Sequence, residues 1–424
     1  MKNTYYSISY CSSFQEQNIA TPSSKSYLIR VLFLAALSSG RTTIQGVFDA
    51  DDVVAVLRVI ETMGAKISRQ GNGVTVEGTC GKLKGGNYHC GESGLCVRIA
   101  SVLSLLVNEK VVILGRDSVL NRQFETTVDL LSRLGMKVES RNNHLPLNVS
   151  GTITTTRIEI DASGTSQIVS GVLLVLPFLP AQTELVVKNL VSISYVEMTL
   201  AVLKQFGYRV KESVNEIQRT YQVELAGIQF SNPLFLEAQP DWSGVAFWLV
   251  AAAIGGDLHF NDLACAPKHT DAVILEVLQQ AGVVIEKNAC TLTIKKSIIR
   301  GFEFDATHYP DLFPPLVVLA LWADGVSKIR GVHRLLNKES NRAEVLQTEF
   351  RRLGADISIQ ADTMVIEPTA LNGGILVDAH GDHRIAMALA ITGLFIKKGL
   401  RLDGYESVSK SYPQFFKTME RLIK

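Results

Sequence analysis

The chain has 424 residues, 46% hydrophobic and 20% charged, with a formal net charge of +1. This is the composition of an ordinary globular protein of about two to four domains. It lacks the broad basic field that a nucleic acid or another polyanionic macromolecule would need, so any anion must be held by local groups of Lys and Arg. The longest unbroken apolar run, residues 245–254, is far short of the ~20 residues of a spanning helix, so no membrane association is expected. The first residues, MKNTYYSISYCSSF, show no apolar stretch followed by a cleavage site. The six cysteines, Cys11, Cys80, Cys90, Cys96, Cys265 and Cys290, include no CxxC pair, and a chain this long needs no disulfide framework. The expectation is a reduced cytoplasmic protein.

Taken in chain order, two kinds of helix alternate. The first kind begins with small polar or charged residues and continues almost wholly apolar: SKSYLIRVLFLAAL, SGLCVRIASVLSLL, TSQIVSGVLLVLPFL, DWSGVAFWLVAAAI, PDLFPPLVVLALWA and DHRIAMALAITGLF. Ser26, Gly94, Gln167, Ser243, Leu312 and His383 mark the starts, roughly 70 residues apart. A helix apolar all round is a buried helix. The second kind is amphipathic and ends on a glycine before a short β-branched strand: VLRVIETMGAKIS, VDLLSRLGMKVES, LAVLKQFGYRVKE, LEVLQQAGVVIEK and VLQTEFRRLGADIS. Gly64, Gly135, Gly207, Gly282 and Gly354 fit helix C-caps, where a positive φ turns the chain into the next strand. FFKTMERLIK at the end is a sixth helix of this kind.

The pattern predicts an α/β protein of six repeated units of about 70 residues. The last unit, from about residue 377, is short by about twenty residues, and residues 1–20 belong to no complete unit. The simplest closure lets the N-terminal strand complete the last unit. Three units then form an inserted domain, 21–236, and three form a discontinuous domain, 1–20 with 237–424, with crossings near 19–21 and 236–240. A continuous solenoid is the rival, but it would want atypical capping repeats.

Polar residues gather where the buried helices begin, and free N–H groups with the helix dipole favour anions there. Lys25 and Arg30 flank the first start, Arg98 lies one turn into the second, and Arg122 follows in GRDSVLNRQ. Lys338 and Arg342 stand four apart in NKESNR, sharing a face if helical. Arg384 lies in GDHR and Lys410 in VSKSYPQFF. Cations recurring at equivalent points of a repeat, beside apolar helices, point to a small, multiply anionic ligand. The plainer reading of any one of them is a solvated surface charge. Asp311, Glu339 and His383 are the acid–base candidates; the plainer readings are an N-cap for Asp311, a salt bridge for Glu339 and a cap for His383. No GxxxxGK[ST], HExxH or GxSxG is present, and no metal site is expected from the scattered histidines.

In this order the helix starts resemble those of the enolpyruvyl transferases, and within them the branch acting on shikimate 3-phosphate. The resemblance runs from about residue 20 to the end. It is carried by SKSYLIR, SGLCVR, the Arg122 loop, TSQ, LVSISY, PDWSGVAFW, YPDLFPP, NKESNR, GDHRIAMA and SKSYPQFF in register. It implies two domains, each of three βαβαββ units, closing over the ligands. The implied reaction moves the enolpyruvyl group of phosphoenolpyruvate to the 5-hydroxyl of shikimate 3-phosphate through a tetrahedral intermediate, with phosphate released and no metal or organic cofactor. A monomer is expected.

Carried over by position, Lys25, Gly94, Arg122, Gln167, Arg342, Arg384 and Lys410 would bind phosphoenolpyruvate. Lys25, Ser26, Arg30, Thr165, Ser166, Gln167, Ser192, Tyr195, Asp311 and Lys338 would bind shikimate 3-phosphate. Asp311 would take the hydroxyl proton, Glu339 or Lys25 would handle the proton at the methylene carbon, and His383 would assist at the leaving phosphate or through Glu339. Some positions depart from the family's pattern. Thr165 stands for serine, Ser24 for glycine, and Arg334 for an asparagine; Leu95 and Cys96 replace smaller residues. Glu92 replaces an asparagine, where a negative charge should oppose an anionic ligand. Two rivals remain. One is the related transferase acting on UDP-N-acetylglucosamine, although the Arg122 loop has Asp117 and no cysteine. The other is a non-catalytic binding relative, although it would have no need of the acid–base set.

Overall fold

The computed structural model describes residues 5–14, 17–215, 218–225, 233–266 and 269–423. Among these, twelve α-helices run α1 (Lys25–Leu37), α2 (Asp51–Thr62), α3 (Gly94–Leu103), α4 (Glu125–Arg133), α5 (Gln167–Val175), α6 (Ile193–Gln205), α7 (Trp242–Gly255), α8 (Ile274–Gln280), α9 (Phe313–Leu321), α10 (Arg342–Arg352), α11 (His383–Leu394) and α12 (Phe415–Ile423). The odd-numbered helices are the all-apolar ones. Every residue of α11 is buried, as is α7 from Trp242 to Ala253. The even-numbered helices bury one face only; α4, for example, buries Thr127, Leu130 and Leu131. The five glycines that follow them have φ of +106°, +96°, +76°, +84° and +89°. Side chains with a Cβ rarely adopt such angles, which explains why the same residue recurs there.

Strands fill the intervals in a repeated order. Gly86–His89 lies parallel to Val111–Leu114, which pairs antiparallel with His144–Gly151, itself antiparallel to Met136–Arg141. The same parallel–antiparallel–antiparallel order is found for Arg157–Asp161, Glu184–Lys188, Gln218–Leu225 and Arg209–Val214. It recurs for Glu303–Asp305, Ser327–Arg330, Thr363–Glu367 and Asp356–Gln360. Two further sheets borrow their first strand from a distant part of the chain. Leu234–Glu237 pairs parallel with Arg41–Gln45, and Asn18–Ile19 pairs parallel with Leu258–Phe260. In the sixth sheet Leu400–Asp403 has Leu376–Asp378 parallel on one side and Tyr5–Ile8 antiparallel on the other.

Contacts divide the chain into two compact units, residues 1–22 with 239–424, and residues 23–238. Each has its own core. In residues 23–238, α3 and α1 both pack against α5. In the other unit α7, α9 and α11 pack on one another. No helix among the described residues is long and apolar enough to cross a membrane.

One sequence expectation is overturned. All six cysteines were expected to be reduced, but Cys265 and Cys290 form a disulfide, with Cα atoms 4.6 Å apart. The cause is strand register: Phe260 pairs with Leu292, and the Ala264 N–H donates to the Cys290 carbonyl at 3.0 Å, so the segments after one strand and before the other run side by side. Cys11, Cys80, Cys90 and Cys96 remain thiols.

Candidate active site

In residues 23–238 the helix starts bring together hydroxyls and cations. Ser24 caps α1 by accepting from the Tyr27 N–H at 3.3 Å, which gives this departure from glycine a structural use. Lys25, the first helical residue, pairs with Asp52 in the first turn of α2 at 3.0 Å. Ser26 is partly buried, and its carbonyl accepts from Arg30 at 2.8 Å. Arg30 is 1% exposed; its other contacts are the Thr199 hydroxyl at 2.8 Å, the Ser170 hydroxyl at 2.9 Å and the Tyr195 ring. Burial without a carboxylate partner lowers its pKa to about 10. Thr165 accepts from the Gln167 N–H at 3.2 Å, Ser166 precedes α5, and Gln167 accepts from Arg98 at 2.9 Å. Ser192, buried at the start of α6, has a φ of +51°.

The stretch CGESGLCVR folds as a turn leading into α3, capped by Ser93 accepting from the Cys96 N–H at 3.3 Å. Cys90 and Cys96 are buried and serve as packing residues, and burial pushes the Cys96 thiol well above its usual pKa. Gly94 lies under a close approach of side chains. A Cβ there would lie 2.6 Å from Arg122 Nη1 and 3.0 Å from Arg98 Nη1, so two guanidinium groups sit against this backbone. Glu92 was expected to oppose an anion as a free charge. Instead its Oε2 accepts from the Ser118 hydroxyl at 2.7 Å and the Ser118 N–H at 3.2 Å.

Residues 239–424 hold a denser cluster. Arg342, at the start of α10 and 1% exposed, donates to three carboxylates: Asp382 at 2.7 and 3.2 Å, Asp311 at 3.0 Å and Glu339 at 2.6 Å. Burial disfavours its charge, but Asp382, Glu339 and Asp311 outweigh that and raise its pKa. Arg384 donates to the other Asp311 oxygen at 3.0 Å, and Lys338 stands 4.0 Å from Asp311. Burial opposes ionisation of Asp311 too, yet Arg384, Lys338 and Arg342 hold its carboxyl far below the usual carboxylate range. Burial lowers Lys338 to about 8 despite Asp311. His383 is 2% exposed, with Nδ1 3.9 Å from Asp382, and Lys410 donates to the Gly381 carbonyl at 2.7 Å. Arg334, buried, donates to the Thr307 carbonyl at 3.2 Å. No group of three or more His, Cys, Asp and Glu arranged for a metal ion occurs among the described residues.

The plainer readings of two residues fail on this geometry. Asp311 does not cap α9: Leu312 occupies the cap position with no side-chain bond, and Pro314 and Pro315 remove donors that a cap would serve. His383 does not cap α11, because Asp382 does so by accepting from the Arg384 N–H at 2.9 Å. Lys338 and Arg342 also do not share a helix face, since α10 begins only at Arg342. Sequence reasoning missed Asp382 as the buried partner of Arg342, Asp52 as the partner of Lys25, and Thr199 and Ser170 around Arg30. Asp382 stood in the GDHR motif already singled out; the other three carried no distinguishing signal.

Comparisons with known proteins agree along the whole chain. A family model described as EPSP synthase (3-phosphoshikimate 1-carboxyvinyltransferase) matches residues 12–419. A 3-phosphoshikimate 1-carboxyvinyltransferase of Clostridium novyi is 30% identical over 416 residues, covering 95% of this chain and 94% of that one. One from Aeropyrum pernix is 31% identical over 410 residues, covering 96% and 93%. Among solved structures, an EPSP synthase of Acinetobacter baumannii matches with a TM-score of 0.77 at 25% identity, over 99% of this chain and 98% of that one. The enolpyruvyl transferase NikO of Streptomyces tendae shares the fold, with a TM-score of 0.76 at 16% identity over 99% and 97%. With a family match over nearly its full length and relatives at 30% identity and above, the chain belongs to the EPSP synthase (3-phosphoshikimate 1-carboxyvinyltransferase) family.

Proposed function

We propose that the chain transfers the enolpyruvyl group of phosphoenolpyruvate to the 5-hydroxyl of shikimate 3-phosphate, releasing phosphate, and that the residues described above carry this out. The observation that carries the assignment of roles is the buried cluster in which Asp311 meets Arg342, Arg384 and Lys338. A carboxylate so placed, in the turn before a helix that does not use it as a cap, fits acid–base work.

In the addition step the 5-hydroxyl oxygen bonds to C2 of phosphoenolpyruvate, its proton leaves, and C3 takes a proton to become a methyl group. Elimination then breaks the bond from C2 to the phosphate oxygen, and C3 gives up a proton. Asp311 accepts the hydroxyl proton. Facing three cations, it is a weak base until anionic ligands occupy those cations, so its basicity rises once both substrates are bound. Glu339, 2.6 Å from Arg342, suits removal of the methyl proton, and Lys25 suits its delivery. His383 assists at the departing phosphate.

Binding divides by chemistry. Arg30 is a buried cation with neutral partners and takes the shikimate carboxylate; Ser26, Thr165, Ser166, Gln167, Ser192, Tyr195 and Lys338 serve the phosphate and hydroxyls. Lys25, Gly94, Arg122, Gln167, Arg342, Arg384 and Lys410 hold phosphoenolpyruvate. Two phosphates and two carboxylates account for so many cations, and their charge is worth most where water is excluded. We place this chemistry in the cytoplasm, on a monomer. Phosphate release on mixing the protein with both substrates tests the reading. No release, together with turnover of UDP-N-acetylglucosamine and phosphoenolpyruvate, would replace it with the nucleotide-sugar reaction.

A further inference from the structure

We infer that Glu92 is a positioning residue for Arg122. Its carboxylate ties the turn at residues 91–94 to the segment 116–122, and so holds the Arg122 guanidinium against Gly94. The inference rests on the reading of Arg122 as a phosphoenolpyruvate ligand.

Three contacts lace the two segments together. The Arg116 N–H donates to the Gly91 carbonyl at 2.9 Å. Next along both segments, Glu92 Oε2 accepts from Ser118 through its hydroxyl at 2.7 Å and its N–H at 3.2 Å. At the far end Arg122 Nη1 lies so close to Gly94 that a Cβ would stand 2.6 Å from it. Ser118 belongs to a short 3-10 helix, Asp117–Asn121, whose first residues have N–H groups with no partner inside the helix. That helix opens on Asp117 with a φ of +51°, a conformation that persists only where surrounding contacts enforce it. Glu92 supplies such a contact one residue later. Arg122 leaves the helix in extended conformation, with φ of −89° and ψ of 141°, so any shift of the helix carries directly to its side chain.

The two accounts of Glu92 predict opposite signs. A carboxylate acting as a free like charge weakens phosphoenolpyruvate binding, so its removal tightens it. A carboxylate acting as a tether has its charge engaged by two donors, and its removal frees Arg122. Glutamine keeps an acceptor oxygen and discards the charge.

The test measures phosphate release with each substrate varied in turn, for Glu92→Ala, Glu92→Gln, Ser118→Ala and the Glu92→Ala/Ser118→Ala double variant. The expected result is a rise of about tenfold in the KM for phosphoenolpyruvate in each alanine variant, and a similar rise, not a hundredfold one, in the double variant. Glu92→Gln stays within about threefold of the parent chain. The KM for shikimate 3-phosphate and the thermal midpoint stay unchanged throughout. A lower or unchanged phosphoenolpyruvate KM in Glu92→Ala, multiplicative effects in the double variant, or a Gln variant as impaired as the Ala variant overturns the inference. If an alanine variant at Glu92 fails to fold, Ser118→Ala and Glu92→Gln decide on the same criteria. Absence of phosphate release from the parent chain overturns the proposed reaction itself, a distinct outcome.

Discussion

Arg30 and Arg342 are buried alike, each 1% exposed, but in opposite company. Arg30, in residues 23–238, is surrounded by hydroxyls, a carbonyl and a tyrosine ring, and burial lowers its pKa. Arg342, in residues 239–424, is ringed by Asp311, Glu339 and Asp382, which raise it. A buried cation with neutral partners carries an uncompensated desolvation cost that an anionic ligand relieves. A cation ringed by carboxylates is compensated before any ligand arrives, and it fixes those carboxylates in place. The two regions thus treat a buried cation differently: one leaves it among neutral groups, the other matches it in advance with carboxylates.

The largest expected effect that would break this comparison is at Asp311. Asp311→Ala should lower kcat by about 10²–10⁴-fold while ligand affinities, measured by calorimetric titration, change far less. A matching loss of affinity would make Asp311 an anchor for Arg342 and Arg384 with no part in the chemistry. Stability comes next. Asp382→Asn leaves Arg342 with its buried charge partly unmatched and should cost ~3–5 kcal/mol in urea unfolding. Arg30→Met should cost less stability than that and yet impair shikimate 3-phosphate binding more; the reverse order would dissolve the distinction.

A smaller effect is expected in the pH profile. Lys338 is a cation below about pH 8 and a neutral amine above it. With the ammonium required, kcat/KM for shikimate 3-phosphate should be level below that pH and fall about tenfold per unit above it, and Lys338→Arg should abolish the fall. A wild-type profile level to about pH 10 would show that burial does not bring Lys338 down to this range. The smallest effect belongs to Gly94→Ala, whose new Cβ meets the end of a flexible arginine that can move aside. The KM for phosphoenolpyruvate should rise by about tenfold or less, with that for shikimate 3-phosphate unchanged. Equal changes in both would show a general distortion of α3.

Helices were the most legible part of the sequence, because burial on all sides leaves an apolar run that nothing else in the chain imitates. Gly94, Gln167 and His383 open their helices at the expected residue, while those expected at Ser26, Ser243 and Leu312 open one residue away, at Lys25, Trp242 and Phe313. Caps were less legible: the cap positions weighed at Asp311 and His383 are occupied by Leu312 and Asp382. Pairings across long distances were not. Nothing local to Cys265 points to Cys290, because antiparallel register sets that contact. The same holds for the candidate site. Motifs marked Arg342, Asp311 and Glu339 one by one, but the three-carboxylate ring around Arg342 depends on α10 and α11 lying together, which no spacing reveals. Glu92 stands out in the sequence as a departure from the family's asparagine, and only the fold shows its carboxylate accepting from Ser118.

The edge strand Tyr5–Ile8 imposes a timetable on the newborn protein. Its neighbour in the sheet, Leu400–Asp403, is made almost 400 residues later. At ~5–20 residues per second that interval is about 20–80 s, during which the first strand has no partner. Residues 23–238 can close their own core in the meantime, since every strand they need has by then left the ribosome. The unit containing residues 1–22 cannot. The sheet holding Tyr5–Ile8 and the Tyr6 contacts to Tyr405, Phe416 and Glu420 must wait until residues 400–420 have been made. The aromatic segment YYSI is therefore carried unpaired through that whole interval before its partner strand arrives.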